Sequence, residues 1–373
     1  MREGSARRWV FFLLVAATLW LVSPHAAEAQ WQISSKDEKQ TLKFGILVQP
    51  QYEALETVTA DHYSQNIFIR RLRLIFGGKI SDRWSFFTET DSPNIGKGTG
   101  VSGTKNEPSM YIQDMYVTYK PNDNFMVDFG MMLLATSYNH NQSAAQLLGL
   151  DYGSYTFVGA TPLQEKVGRD YGIEVRGYPF KKKFEYRAGI YQGYRGVDSA
   201  NPLRYIVRVA FWPWEAPTGY FYPGTLQGTK KIMSIGAFYD AQKDYKSYGA
   251  DVFGEFPIGK SAITFQGDYV TYDGGDYIPS FYKQTDLFGE VGFLIGPIHL
   301  TPYVQYAQQN YDEEDLTHLD SSRWQIGAAW WIANHNLNLK LAYTKISTDS
   351  APDSSTDLPD RNQWQLQFQL FQF

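Results

Sequence analysis

The residues in this chain that could do chemistry are its basic side chains. Arg71, Arg73, Arg176, Arg187, Arg204, Arg208 and Lys340 each stand opposite an apolar row when the surrounding residues are read at a period of two. Lys43 and Arg323 do the same. Guanidinium groups grip anions through paired N–H donors, and rings of Arg or Lys favour anions in a pore. Acids share those faces, most densely near residues 85–130 and 250–290, whereas the bases concentrate on the first two strands and around residues 176–208. Opposed basic and acidic walls would orient dipolar or charged solutes. The alternative is that the charges neutralise one another and merely hydrate a wall.

Covalent chemistry finds less support. There is no G-x-S-x-G elbow, P-loop or dinucleotide fingerprint, and no cofactor is expected. His62, His140, His299, His318 and His335 lack any H-E-x-x-H or paired spacing. The acidic run Asp312-Glu313-Glu314-Asp315 could take a divalent cation through oxygen ligands. A solvated loop is the better reading, and no metal site is expected. With no cysteine, the chain has neither a disulfide framework nor a thiolate metal site.

The elements that must position these side chains are strands. In the last twelve residues Gln363, Gln365, Gln367 and Gln369 alternate with Trp364, Leu366, Phe368 and Leu370. One face is amide and the other apolar, as a strand with lipid outside and water inside requires. The apolar register runs on even positions and then passes to Phe371 and Phe373, for which a bulge or a rim position is expected. Similar alternation recurs along the chain. Tyr205, Val207, Val209 and Phe211 oppose Arg204 and Arg208, and Leu337, Leu339, Leu341 and Tyr343 oppose Asn338 and Lys340. About sixteen such segments of roughly 9–12 residues can be counted, the length a tilted strand needs to cross a bilayer. Short turns rich in Gly, Pro, Asn or Asp alternate with longer polar loops such as 92–109, 136–168 and 310–321.

This pattern predicts an all-β fold: a transmembrane antiparallel up-and-down β-barrel with short periplasmic turns and long external loops. About sixteen strands would leave an aqueous channel, whereas about eight would fill with side chains. Residues 213–230 break the alternation, being long on the short-turn side, and are expected to form an ordered periplasmic excursion. Arg70 falls on the apolar face with Phe68 and Leu72, so it is expected near the outer rim, where it can snorkel or meet anionic lipid.

Residues 1–29 have the form of a secretory signal peptide. Arg2, Arg7 and Arg8 precede the uncharged apolar run 9–22, and Ala27-Glu28-Ala29 supplies the cleavage site. Without this segment the chain has 31 Lys+Arg against 37 Asp+Glu, a net charge of −6, and no basic tract to suggest nucleic acid. The mature part, 30–373, is read as the barrel, with 30–40 a polar periplasmic lead. The aromatic content of the whole chain, 16%, suits a lipid-facing wall with aromatic rims. Outer-membrane lipid is therefore one expected partner, and small hydrophilic solutes are the other.

The longest loop, 136–168, turns apolar at residues 144–150, where Leu147, Leu148 and Leu150 stand close together. Such a patch suits a loop folded into the barrel and narrowing it, which would bring Lys166 and Arg169 to the constriction. A subunit contact or a plain surface loop is the alternative.

The chain resembles the phosphate-selective porin O and P family of outer-membrane channels. The resemblance rests on residues 68–80 (FIRRLRLIFGGKI) with 82–86 (DRWSF), then 112–121 (IQDMYVTYKP), 127–130 (VDFG) and 168–175 (GRDYGIEV). It implies a sixteen-stranded homotrimeric porin of Gram-negative type with an inward-folded third loop and a pore lined by basic residues. It also implies that the terminal Phe373 helps the barrel-assembly machinery recognise the last strand. The function expected is passive diffusion of small hydrophilic solutes, with anions or phosphate preferred. The alternatives are a general or sugar-admitting porin using tyrosines such as Tyr191 and Tyr303, or an outer-membrane enzyme or adhesin on a barrel scaffold.

Overall fold

The computed structural model describes residues 31–57, 62–100, 103–197, 200–214, 216–349 and 360–373. The expected signal peptide, 1–29, lies outside the described residues.

The strands are β1 (Trp31–Ser34), β2 (Thr41–Glu56), β3 (Tyr63–Lys79), β4 (Trp84–Asp91), β5 (Tyr111–Asn122), β6 (Phe125–Leu133), β7 (Arg169–Gly177), β8 (Phe184–Tyr191) and β9 (Arg204–Phe211). They continue as β10 (Ile232–Gln242), β11 (Tyr245–Ile258), β12 (Ser261–Asp273), β13 (Gln284–Leu294), β14 (Leu300–Tyr311), β15 (Ser321–Ala333), β16 (Leu337–Thr348) and β17 (Arg361–Gln372). From β2 to β17 each strand pairs antiparallel with the next, and β17 returns to pair with β2, closing a barrel of 16 strands. Closure leaves no sheet edge, so every backbone group at membrane depth can find a partner within the sheet. The extra strand β1 lies within the expected polar lead and pairs with the start of β2, Trp31 opposite Phe44.

The alternation of faces is the reverse of a water-soluble sheet. Along β9 the buried residues are Arg204, Ile206, Arg208 and Ala210, while Tyr205, Val207, Val209 and Phe211 are exposed. Burying charge and exposing hydrocarbon is stable only where the outer solvent is lipid. No helix among the described residues is long and apolar enough to cross a membrane, and the strands do the crossing.

Three features depart from the sequence expectation. First, Arg70 is not on the lipid face. Register passes from Gln49↔Arg71 to Pro50↔Ile69, leaving Arg70 as the extra residue of a bulge. Pro50 cannot donate to the ladder, so a bulge is where it is tolerated. The Arg70 guanidinium reaches Asp151 inside the barrel, Nε to Oδ2 at 2.8 Å. Second, β17 needs no bulge at its end. Gln367↔Gln51 and Leu370↔Val48 keep one register, and Phe371 and Phe373 simply continue the lumen row of the glutamines. They pack there with Leu47 and Ile75. Third, the external connection between β10 and β11 is only Lys243 and Asp244.

Candidate functional site

Two long segments enter the barrel, one from each end. The first, 134–168, joins β6 to β7. Leu147, Leu148 and Leu150 are each 1–2% exposed, because the segment lies against the lumen wall. Its backbone is held there by wall side chains. Lys340 Nζ donates to the carbonyls of Leu147 and Gly149 at 2.7 and 2.8 Å. Gly149 N donates to Glu290 Oε2 at 3.1 Å, and Leu150 N to the Tyr303 hydroxyl at 3.2 Å. A Cβ at Gly149 would stand 2.1 Å from Gln305 Nε2 and 2.8 Å from Glu290 Oε2, so both side-chain ends would have to shift to admit one. On the opposite wall Asp151 binds both Arg70 and Arg71, the latter at 2.5 Å.

The second segment, residues 212–231, joins β9 to β10 from the end that carries the termini. The expectation of a periplasmic excursion is corrected: the segment turns back into the barrel. Its driving force is aromatic burial. Trp212, Tyr220 and Tyr222 are inside, the first and last fully buried. Each polar tip finds a partner. Trp212 Nε1 and the Tyr222 hydroxyl both donate to Glu185, and the Tyr220 hydroxyl donates to Leu133 O. Glu255 anchors the far end, accepting from Thr225 Oγ1, Leu226 N and Gly228 N at 2.7–2.8 Å. The two segments meet. Tyr222 N donates to Asn141 O and Ser143 N to Tyr222 O, a parallel bridge, and Thr225 N donates to Gln146 O.

This meeting decides the fate of the basic residues. Arg176, Arg187 and Arg208 stand in one cross-strand row on β7, β8 and β9. Like charges directly opposite repel, and here carboxylates and rings offset them. Arg176 pairs with Asp128 at 2.6 Å, Arg187 with Glu185 at 2.7 Å and Arg208 with Asp251 at 2.5 Å. Tyr220 lies 5.1 Å from Arg176 and 5.3 Å from Arg187, and Tyr222 lies 4.9 Å from Arg187 and 5.5 Å from Arg208. Each ring thus bridges two guanidiniums by cation–π contact. Arg204 is likewise buried between Asp240 and Glu165. Lys340 is spent on the first segment's carbonyls, and Lys166 is exposed on that segment. The tyrosines Tyr191 and Tyr303 are also engaged internally, Tyr191 donating to Glu174 and Tyr303 to Gln325.

Open space remains along β2 to β5 and β14 to β17. A cavity of about 590 Å³ is lined by six basic side chains, Arg70, Arg71, Arg73, Lys97, Arg169 and Arg323, and by three acids, Glu53, Asp91 and Asp151. A second cavity of about 290 Å³ lies toward the termini and carries Arg73, Arg169 and Glu89 as its charged groups. Arg73 and Arg169 line both, so they mark the waist between them. Arg73 binds Glu89 at 2.7 Å and Asp91 at 3.1 Å, and Arg169 binds Asp114 at 3.2 Å. Sequence reasoning found Arg71, Arg73 and Arg169. It missed Arg70 and Lys97, whose placement depends on the bulge and on an ion pair between Lys97 and Glu53. Pro50 was the available signal for the bulge. Among the described residues no cluster of three or more His, Asp or Glu could hold a metal ion.

Residues 44–257 match the family described as phosphate-selective porin O and P. The chain belongs to this family. Solved structures agree on the fold. The outer-membrane channel DcaP of Acinetobacter baumannii is similar with a TM-score of 0.55 at 14% identity, over 91% of this chain and 99% of that one. The anion-selective porin of Comamonas acidovorans gives 0.56 at 11% identity, over 89% and 100%. The trimer form of OmpT from Vibrio cholerae gives 0.52 at 11% identity, over 89% and 99%. A search of curated proteins finds no match. Family and fold support an outer-membrane channel.

Proposed function

We propose that this porin passively conducts small hydrophilic anions, filtering them by size and charge at the waist formed by Arg73 and Arg169. One observation carries the reading. Six bases face three acids around the larger cavity, and two bases face one acid around the smaller, although the whole chain is acidic. A net positive lining concentrates anions in a low-dielectric passage. The segment 136–168 acts as the constriction loop, with Arg71 and Arg169 as its solute-facing partners on the wall. The anion-selective porin from Comamonas acidovorans, which shares the fold, favours the same reading, with phosphate as one candidate solute.

The trimer form of Vibrio cholerae OmpT supports a homotrimer here. Export would use residues 1–29 as a cleaved signal. The Phe373 ring packs 5.9 Å from Phe87 inside the finished barrel, so any reading of the last strand by assembly machinery would precede closure.

The test is a reversal potential in a potassium chloride gradient across a planar bilayer. A potential of the sign set by chloride is expected. A potential set by potassium refutes the anion reading.

A further inference from the structure

The cavity on the terminal side of the waist is unusual for a porin lumen, because its wall is aromatic. Phe87 of β4, Phe221 of the inserted segment, and Phe371 and Phe373 at the end of β17 line it, with Leu47 and Ile75. Phe87 is the hub, 5.5 Å from Phe221 and 5.9 Å from Phe373, both edge-on. None of the four rings is fully buried. Phe87, Phe371 and Phe373 also pack on Leu47, Ile75, Ala144 and Ala145, yet each keeps part of its surface open to the cavity. Three separate parts of the chain bring phenylalanines to one place beneath two arginines.

We infer that the channel favours anions that carry an apolar or aromatic body, such as aromatic carboxylates, over small fully hydrated anions. This rests on the anion reading above and names its solute class. The head group would be held at the waist. There two donors, Arg73 Nε and Gln113 Nε2, and two acceptors, Gln113 Oε1 and Asp91 Oδ1, have no hydrogen-bond partner among the described residues. Gln113 is fully buried and Arg73 nearly so, and both line the larger cavity. Below them, a ring leaving water meets Phe87 and Phe221. Offset and edge-on contacts add to the gain from burial there. At about 290 Å³ the space is near the lower end for a small-molecule pocket, enough for a single ring. Phosphate gains nothing from this wall. Rings cannot replace the hydrogen bonds of its hydration shell, and a polar group stripped of water without new partners is penalised.

The probe pair is benzoate and acetate, compared by bi-ionic reversal potentials against chloride in planar bilayers. For the natural channel benzoate is expected to permeate at least as well as acetate, despite being larger, and to reduce chloride current when added to one side. Phe221→Ala should lower the benzoate-to-acetate ratio several-fold and leave chloride-over-potassium selectivity unchanged. Phe221→Leu, which keeps the apolar packing, should fall between. If Phe221→Ala fails to fold, judged by heat-dependent migration in a detergent gel, the natural channel still decides. A benzoate-to-acetate ratio below one there overturns the inference. So does a Phe221→Ala channel in which all ions pass faster by one common factor, the mark of a dewetting gate. A natural channel that prefers potassium to chloride defeats the anion reading instead, and the two failures are read from different measurements.

Discussion

The guanidinium of Arg187 sits 4.9 Å from the ring of Tyr222, a residue that enters the barrel on the segment between β9 and β10. Arg187 also donates to Glu185, which accepts from Tyr222 and Trp212 as well. The arginine row of β7 to β9 is therefore packed between the wall and the inserted segment.

Replacing Arg187 by Ala should act on folding. Glu185 would remain buried with its charge partner gone, which typically costs about 3–5 kcal/mol. The expected outcome is a lower unfolding temperature with reversal potential unchanged. A selectivity shift in a channel of normal stability would place Arg187 back in the path.

Arg73→Ala should do the opposite. Removing this cation leaves Asp91 without its charge partner and Glu89 with only the more distant Arg169, at 4.0 Å. The reversal potential should move toward potassium, and single-channel conductance should rise with the lost bulk. An unaltered chloride preference would remove Arg73 from the filter.

Asp151→Asn tests the loop side of the same filter. Asp151 neutralises Arg70 and Arg71 together. Its amide replacement keeps the shape and frees two cations, so chloride selectivity should increase. Weaker anion preference in this variant would contradict the proposed lining.

Gly224→Ala probes the contact between the two inserted segments. An added Cβ would meet Gln146 O at 2.6 Å and Leu147 Cα at 2.8 Å, backbone atoms that cannot rotate away. The segments should separate, with larger and noisier conductance. A channel indistinguishable from the natural one would show that the contact does not limit flow.

His335, in the turn between β15 and β16, donates from Nε2 to Thr225 O over 3.0 Å and so ties the second segment to the wall. Burial first, then the Lys340 ammonium, holds its imidazole down to about 4. An unfolded histidine protonates near 6.5, so between these values the unfolded chain binds more protons than the folded one. Stability is thus complete above about pH 6.5 and falls as pH drops toward 4. His335→Gln should flatten that part of the stability profile, measured as unfolding temperature against pH. An identical slope in both proteins would remove His335 from the account.

The barrel was legible in the sequence because its cause is local. A strand with lipid on one side and water on the other must alternate at a period of two, as Tyr205 to Phe211 do against Arg204 and Arg208, and sixteen such runs close without an edge. Arg71 and Arg73 were placed on the lumen face by period alone, whereas Arg169 was reached only through the loop expected to fold inward. Tertiary structure decided which arginines are covered and which border open space. Period-two reading assigns Arg187 and Arg73 the same face, yet one lies under Tyr222 and the other between two cavities. That difference comes from where residues 134–168 and 212–231 go once inside, and from the bulge opposite Pro50 that turns Arg70 inward. Those placements arise from contacts between residues far apart in the chain, such as Ser143 with Tyr222 and Asp151 with Arg71. Periodicity carries no information about which distant partner a buried charge will find.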